Sequence, residues 1–389
     1  MHHRIRTAQR SFEIQPFEVM EVMARAHALE ARGRRIVHME IGEPDFTAPQ
    51  PVVEAAMRAV RDGLTSYTAA LGLPALREAI AQHYADRFGI AVSPSRIAVT
   101  AGASGGLLLA FALLVDPGKE VLVPDPGYPG YRHFVRAFEG RALPVATAAT
   151  AGFQPTLEQV ARAWGEQTIG LIIGSPSNPT GTLIDPAELA RLDDFVTAHG
   201  GALVVDEIYQ GLSYQDGPAC ALALPGNVLV VNSFSKYFCM TGWRLGWVVL
   251  PETLVRPFEK LAQHLFISAS AIAQHAALAA FLPESIAVLE QHRAEFRRRR
   301  DLLVPALESI GFRIPARPEG AFYVYADCAR FAPDAKVFSL DLLERAGVAA
   351  TPGIDFGANH TACFIRFAYT RAFADLEEGV GRLRSACAG

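Results

Sequence analysis

The chain has 389 residues, half of them hydrophobic and 20% charged, and its formal net charge at pH 7 is −4. This length is enough for two domains with a sizeable core, and the negative charge excludes the basic surface that nucleic-acid binding requires. The sequence has no run of about 18 apolar residues of the kind that spans a membrane.

The five cysteines are spread along the chain and show no Cys-x-x-Cys spacing. Scattered cysteines in odd number indicate reduced thiols rather than disulfides or a zinc site. The first residues lead into polar sequence without the apolar core of a signal peptide. We therefore expect a cytoplasmic protein without a bound metal.

The predicted elements begin with a helix at residues 17–32. From about residue 75 to 250, helical patterns alternate with short apolar runs. The predicted helices of this part are residues 73–88, 105–114, 128–138 and 186–199. Its predicted strands are residues 97–100, 120–124, 170–174, 203–206, 228–232 and 245–250. These strands are continuously apolar, as in sheets covered by helices on both faces, so the repeat predicts an α/β fold with a largely parallel sheet.

The rest of the chain has a different pattern. It predicts a long charged helix at 283–310, strands at 311–314, 321–325 and 364–368, a helix near 336–346 and a closing helix from Phe373. Mixed helices and strands in this order indicate a smaller α+β domain. We assign residues 46–282 to the large domain, and residues 1–45 together with 283–389 to the small one.

Four polar clusters follow predicted strands, where a doubly wound sheet binds its ligands. The first is Thr-Ala-Gly-Ala-Ser-Gly-Gly at residues 100–106, which includes Ala103 and Ser104. Small residues before a helix let backbone N–H groups face a phosphate, although plain glycine turns are as common there. No Gly-Lys-Ser/Thr follows, which excludes a Walker loop. The second cluster, residues 175–181, places Asn178 between two prolines in a fixed turn.

The third cluster runs from Asp206 to Tyr209 and ends an apolar run. A carboxylate there is costly unless it is paired or hydrogen-bonded, and a helix N-cap is the simpler alternative. The fourth cluster contains Ser233, Ser235, Lys236 and Arg244. A lone lysine after a strand is usually on the surface, but a buried lysine shifts its pKa readily and can serve as a Schiff-base nucleophile.

The four clusters are informative as a set. They place an acid, an amide, a phenol, a lysine, a cation and a glycine-rich turn at strand ends of one sheet. Together these groups match a ligand with a phosphate, a ring nitrogen that becomes cationic, a phenolate oxygen and an aldehyde. Pyridoxal phosphate has all four, and we expect it as the cofactor.

The chain resembles the class I/II aminotransferases of the aspartate aminotransferase superfamily, which are fold-type I pyridoxal-phosphate enzymes. The resemblance covers nearly the whole chain. Its motifs are Gly-Glu-Pro-Asp-Phe from Gly42, Ser-Asn-Pro-Thr-Gly around Asn178, Asp-Glu-Ile-Tyr from Asp206, Ser-Phe-Ser-Lys to Lys236, Thr-Gly-Trp-Arg-Leu-Gly at Arg244 and Phe-Ile-Arg-Phe at Arg366. It implies a mostly parallel seven-stranded sheet covered by helices, a smaller α+β domain, and transfer of an amino group from an L-amino acid to a 2-oxo acid.

The resemblance also implies roles for single residues. Lys236 would hold the cofactor as a Schiff base and move a proton between the substrate α-carbon and the cofactor. Asp206 would pair with the pyridinium nitrogen, which favours the protonated ring. Asn178 and Tyr209 would bond to the ring oxygen.

Further contacts follow from the same resemblance. The phosphate would be held by Arg244, Ser233 and the backbone of Ala103 and Ser104. Other expected cofactor contacts are Ser235, the stacking ring of Tyr128, and Tyr67, which would reach the partner subunit's phosphate in a homodimer. The substrate contacts would be Asn178, the Gly42 backbone and Arg366, whose planar fork suits the α-carboxylate.

Two features argue against strict aspartate specificity. Aspartate-specific members usually carry tryptophan where Tyr128 stands, and no second arginine is evident for a side-chain carboxylate. Alanine-like, aromatic or broad substrates remain open.

Other functions were weighed as well. The alternatives are a C–S β-lyase on the same scaffold and a non-catalytic pyridoxal-phosphate-binding regulatory domain. A nicotinamide dehydrogenase is excluded because no Gly-x-Gly-x-x-Gly follows the first strand.

Overall fold

The computed structural model of the protein describes residues 5–215, 219–225 and 228–388. Its strands are β1 (Val37–His38), β2 (Ile97–Thr100), β3 (Glu120–Asp125), β4 (Arg141–Ala146), β5 (Thr168–Gly174), β6 (Ala202–Asp206), β7 (Leu229–Ser233), β8 (Gly246–Val249), β9 (Tyr323–Asp327), β10 (Val348–Ala349), β11 (Thr351–Pro352) and β12 (Phe364–Ala368). Its helices are α1 (Arg10–Glu13), α2 (Glu18–Glu30), α3 (Gln50–Arg61), α4 (Pro74–Phe88), α5 (Gly102–Leu114), α6 (Gly130–Ala137), α7 (Leu157–Ala163), α8 (Pro186–Ala198), α9 (Glu252–Leu265), α10 (Ala271–Ala277), α11 (Pro283–Ile310), α12 (Ala335–Asp341) and α13 (Phe373–Cys387).

A seven-stranded sheet in the order β2-β8-β7-β6-β5-β3-β4 organises the molecule. Strand β8 runs antiparallel to its neighbours β2 and β7, and the other pairs in the sheet are parallel. Helices cover both faces, so the central strands are buried and mostly apolar, apart from polar residues near their carboxyl ends such as Asp206 and Ser233. The predicted α/β fold is confirmed.

Six of the seven strands follow the sequence prediction, but the edge strand β4 was missed. Its sequence, Arg-Ala-Leu-Pro-Val-Ala, has no continuous apolar run, and only Val145 in it is buried. An edge strand is paired on one side only and needs less apolar sequence than a central one. The signal that revealed the central strands is therefore absent at β4.

Helix α5 begins at Gly102, three residues before its predicted start. The glycine-rich cluster is thus the first turn of the helix, and Gly102 itself has a φ of +73°, a backbone conformation that glycine adopts freely. This helix contains no charged residue and packs against the sheet strands β7 and β8. Its N-terminus points to the edge of the sheet where β2 ends.

The C-terminal elements form two small sheets. Strands β11, β12 and β9 make an antiparallel sheet, and β1 pairs in parallel with β10. The strand predicted at 311–314 is wrong: only Arg313 makes an isolated bridge, to Asp327. The segment follows directly after α11, which ends at a left-handed Gly311, and this leaves too few extended residues for a strand.

Other C-terminal predictions hold with small shifts. The strand predicted at 321–325 lies at β9, and the helix near 336–346 is α12 followed by a π-helical turn, Leu342–Ala346. The domain boundaries at 46 and 282 stay a prediction, and residues 1–4 and 389 of the small domain lie outside the described residues. Among the described residues, no single helix is both long enough and apolar enough to cross a membrane. One pair of consecutive helical segments, with a bend of 82° between them, meets these two criteria when the segments are taken together, by length and composition alone.

Candidate active site

A cavity of about 390 Å³ lies where β2, β5, β6 and β7 end. Parallel strands bring their carboxyl ends to one edge, so clusters that are far apart in sequence meet there. The predicted site residues that line it are Gly42, Ala103, Ser104, Tyr128, Asn178, Asp206, Tyr209, Ser235, Lys236, Arg244 and Arg366. The fold thus brings together eleven of the thirteen residues that the sequence singled out.

Lys236 stands three residues after the end of β7, with its side chain largely buried. Its Nζ donates to the Gly42 carbonyl at 2.6 Å. Burial lowers the pKa of this amine to about 8, and the positive charges of Arg366 and Arg244 act in the same direction, against the opposing pull of Glu43. A substantial fraction of Lys236 is therefore a neutral nucleophile near neutral pH.

Asp206 is the last residue of β6 and is 4% exposed. Its carboxylate accepts from the Tyr131 hydroxyl at 2.8 Å and from the Ile208 backbone N–H at 3.1 Å. Burial nevertheless raises the pKa of Asp206 to about 6. Within the described chain no cationic side chain makes a salt bridge with it, so a bound cation such as a protonated ring nitrogen would relieve the cost of burying this charge.

The first turn of α5 and Arg244 form a cradle at one end of the cavity. A Cβ on Gly102 would lie only 2.7 Å from Arg244 Nη2. The first N–H groups of a helix have no partner within the helix, and together with a guanidinium they make an anion site. Ala103 and Ser104 are in this turn, so the cradle fits a phosphate.

Arg366 lies at the other side of the cavity, on β12, and is 2% exposed. It donates to Asn178 Oδ1 at 2.8 Å, to the Glu40 carbonyl at 2.5 Å and to Thr351 Oγ1 at 3.2 Å. Its guanidinium also lies 4.3 Å from the centre of the Tyr323 ring.

All these partners of Arg366 are neutral. No carboxylate of the described residues forms a salt bridge with it, and its Nε has no hydrogen-bond partner among them. A buried guanidinium without a carboxylate is a strong site for the carboxylate of a ligand.

Two predicted residues lie elsewhere. Ser233 is buried but does not line the cavity; its Oγ lies 2.9 Å from Ser235 Oγ and accepts from the Ser235 backbone N–H at 3.0 Å. It therefore supports Ser235. Tyr67 is 81% exposed and also lies outside the cavity wall, because the described residues of its own chain leave most of its ring uncovered.

Asn178 and Tyr209 bond to protein groups here. Asn178 Oδ1 accepts from Arg366 Nη1 at 2.8 Å. The Tyr209 hydroxyl shares a 2.8 Å hydrogen bond with that of Tyr323. Tyr323 also lines the cavity, although it is not among the residues predicted from the sequence.

Sequence reasoning also missed other residues of the site. Tyr131, which donates to Asp206, stands one helical turn after Tyr128, and this spacing could have revealed it. Phe17, Val19 and Met20 line the cavity as well. Their position depends on how the N-terminal segment packs, for which the sequence carries no local signal.

The donor set fits pyridoxal phosphate group by group. A helix N-terminus with an arginine suits the phosphate, a buried carboxylate suits the ring nitrogen, and a lysine of lowered pKa suits the aldehyde. The fold and the cavity therefore define a pyridoxal-phosphate enzyme.

The family model for aminotransferase class I and II matches residues 34–383, and the chain belongs to this family. It is 39% identical to valine–pyruvate aminotransferase of Mycobacterium tuberculosis, with 96% of both chains covered. It is 36% identical to aspartate/prephenate aminotransferase of Thermus thermophilus, with 95% of both covered. The crystal structure of an aminotransferase from Mycobacterium tuberculosis superposes with a TM-score of 0.95 at 39% identity, with 98% of this chain and 99% of that one covered.

These comparisons confirm the predicted family, fold and cofactor. The chain is an enzyme that transfers amino groups with pyridoxal phosphate, and its substrates are of the amino-acid and 2-oxo-acid kind.

Proposed function

We propose that this aminotransferase acts on L-amino acids with neutral, apolar side chains. The observation that carries the proposal is the composition of the cavity wall. Among the described residues that line it, the cations are Lys236, Arg244 and Arg366. Each has a task in the proposed site: attachment of the cofactor, its phosphate and the substrate α-carboxylate.

The rest of the wall supports the same substrate class. Phe17, Val19, Met20 and Ile41 contribute apolar surface, and Glu43 contributes a negative charge. A substrate with a side-chain carboxylate would leave that charge desolvated near Glu43 without a cation of this chain. Apolar side chains instead gain free energy from burial against the wall.

We infer these roles from the residues that line the cavity. Lys236 would hold the cofactor through its Nζ and, as a free neutral amine, would take and return the proton of the substrate α-carbon. Arg366 would bind the α-carboxylate through its guanidinium. Asp206 would hold the ring nitrogen in its protonated form, and Tyr128 would provide an aromatic contact to the ring. When bound, pyridoxal phosphate supplies the electron sink for the pair left on the α-carbon.

The test of substrate class is a half-reaction screen. Purified holoenzyme is mixed with L-valine, L-leucine, L-alanine or L-aspartate, and the absorbance of the bound cofactor is followed. We expect the rate constant over KM to be at least about tenfold higher for an apolar amino acid than for aspartate. A preference for aspartate would contradict the proposal.

The test of the catalytic residue is Lys236→Ala, with the exposed Lys260→Ala on α9 as the matched control. Lys236→Ala is expected to abolish transamination, and the control to retain it.

The lyase alternative is tested on the wild-type enzyme. Release of pyruvate and ammonia without a 2-oxo-acid acceptor would indicate the lyase reaction instead of transamination.

We further propose a homodimer in which Tyr67 reaches the phosphate site of the partner. Tyr67 is highly exposed, and the large apolar residues Met57, Val60, Leu64, Leu265 and Ile267 are exposed as well. Exposed apolar surface of this extent favours association. A solution mass of one chain would contradict the proposal.

Mixed dimers test the role of Tyr67. A dimer of one Lys236→Ala subunit and one Tyr67→Phe subunit retains one site with both native groups if Tyr67 acts across the interface. Activity in the mixture should then exceed that of either variant alone. If Tyr67 acts within its own subunit, no such recovery occurs.

A further inference from the structure

Residues 39–42 follow β1, and their backbone contacts both Arg366 and Lys236. The Glu40 carbonyl accepts from Arg366 Nη2 at 2.5 Å, and also from Thr351 Oγ1 at 3.0 Å. Two residues on, the Gly42 carbonyl accepts from Lys236 Nζ at 2.6 Å. A shift of this backbone would therefore move the acceptor that orients the Arg366 guanidinium.

The Glu40 side chain is fully buried, with 0% exposure, next to this same carbonyl. Its Oε1 accepts from His38 Nδ1 at 2.7 Å, while its Oε2 has no hydrogen-bond partner among the described residues. A buried carboxylate is costly unless it is paired with a cation. The partner available at this position is His38.

His38 is arranged as a cation. Its Nε2 lies 3.0 Å from Glu30 Oε1, so both ring nitrogens face carboxylates. The hydrogen bond to Glu40 raises the pKa of His38, and the charges of Glu40 and Glu30 act in the same direction against the effect of burial. The ring of His27 on α2 lies 5.7 Å away, centre to centre.

We propose that His38 and Glu40 are positioning residues for Arg366. Their ion pair fixes the backbone at Glu40, and its carbonyl then holds the guanidinium in the orientation that receives the substrate α-carboxylate. The inference rests on the proposed role of Arg366. Neither residue lines the cavity, so their effect on the substrate is exerted through Arg366.

A metal ion offers a different reading of this cluster. Ligand atoms of His27, Glu30 and His38 lie within 4.8 Å of one another. The hydrogen bonds of both His38 nitrogens to carboxylates already account for the arrangement, and a metal bound there would have to displace the proton that His38 Nε2 donates to Glu30. The ion pair is therefore the interpretation that the contacts favour.

Two ligands distinguish binding of the substrate carboxylate from binding of the rest of the substrate. The first, 3-methylbutanoate, is valine without its amino group, and the second, isobutylamine, is valine without its carboxylate. Binding of each to the holoenzyme is measured by calorimetry. Glu40→Gln keeps the volume of the side chain and removes its charge, and we expect it to weaken 3-methylbutanoate about five- to tenfold and to change isobutylamine less than about twofold.

His38→Leu and His38→Asn give an independent test if Glu40→Gln does not fold. The leucine removes the donor to Glu40 and should weaken 3-methylbutanoate to a similar degree, whereas asparagine restores a neutral donor near Nδ1 and should recover part of the affinity. Glu21→Gln, an exposed site on the same helix α2 as Glu30, is the matched control and should leave both affinities unchanged.

Arg366→Ala separates the proposed role of Arg366 in carboxylate binding from the proposed positioning role of His38 and Glu40. If it does not weaken 3-methylbutanoate, or if the wild-type enzyme fails to bind this probe, then the proposed role of Arg366 is wrong. Suppose that Arg366→Ala weakens 3-methylbutanoate binding, but that the His38 and Glu40 variants lower only the thermal stability or weaken both probes equally. In that case the positioning role of His38 and Glu40 is wrong, and the role of Arg366 stands.

Discussion

The lowered pKa of Lys236 leads to a prediction about chemical reactivity. An ordinary lysine with a pKa of 10.5 is about 0.1% neutral at pH 7.5, whereas an amine with a pKa of about 8 is about 25% neutral. The difference is roughly 200-fold in the concentration of the nucleophile. In cofactor-free protein, Lys236 should therefore react with a small aldehyde about two orders of magnitude faster than an exposed lysine does, insofar as the aldehyde reaches the cavity equally well.

Reductive methylation with formaldehyde measures this reactivity site by site. The extent of modification of Lys236 and of the exposed Lys260 is followed by peptide mass spectrometry between pH 6 and 11. Because the pKa is lowered, the modification rate of Lys236 should rise with pH up to a midpoint near 8 and then level off. A midpoint above about 10 would refute the reasoning.

The charges near Lys236 predict the direction in which its titration midpoint should move in two variants. Glu43 raises the pKa of Lys236 and Arg366 lowers it, so Glu43→Gln should move the midpoint down and Arg366→Ala should move it up. Shifts in the same direction would mean that changes in burial, rather than the two charges, dominate the titration.

Three further predictions concern the cofactor site. Tyr131→Phe removes the hydroxyl that donates to Asp206 at 2.8 Å, so the pKa of Asp206 should rise further. Cofactor affinity, measured by fluorescence titration over pH, should fall about five- to tenfold near neutral pH. Gly102→Ala places a methyl group 2.7 Å from Arg244 Nη2 and should weaken cofactor binding at least about tenfold. Gly118→Ala, where φ is also positive but the added Cβ meets nothing within 4 Å, should leave that affinity unchanged. Asp206→Asn should retain the fold by circular dichroism and reduce turnover at least about 100-fold.

The sequence revealed those parts of the site that lie directly after buried strands. Asp206 and Lys236 follow continuous apolar runs, and a parallel sheet brings such positions to one edge. Glycine and proline fixed the turns near Ala103 and Asn178 for local reasons. These residues could be predicted because their positions depend on only one strand each.

Residues that depend on packing between distant segments were not predictable in this way. Phe17 and Met20 reach the cavity because α2 lies beside it, and Glu40 is buried because β1 pairs with β10. In the sequence, Glu40 stands two residues after His38, but no local pattern shows that its carboxylate is buried. Strand β4 was missed for the related reason that its edge position requires little apolar sequence.

The surroundings of Arg366 show why such residues matter for function. Its three hydrogen-bond acceptors come from the loop after β5, from the segment after β1 and from β11. No one of these elements fixes the guanidinium alone, and a bidentate contact tolerates little misorientation. A change that displaces any of the three elements should therefore weaken carboxylate binding even where it touches neither substrate nor cofactor. Substitutions that alter substrate affinity are accordingly expected at the supports of Arg366, such as Thr351, as well as at the cavity wall.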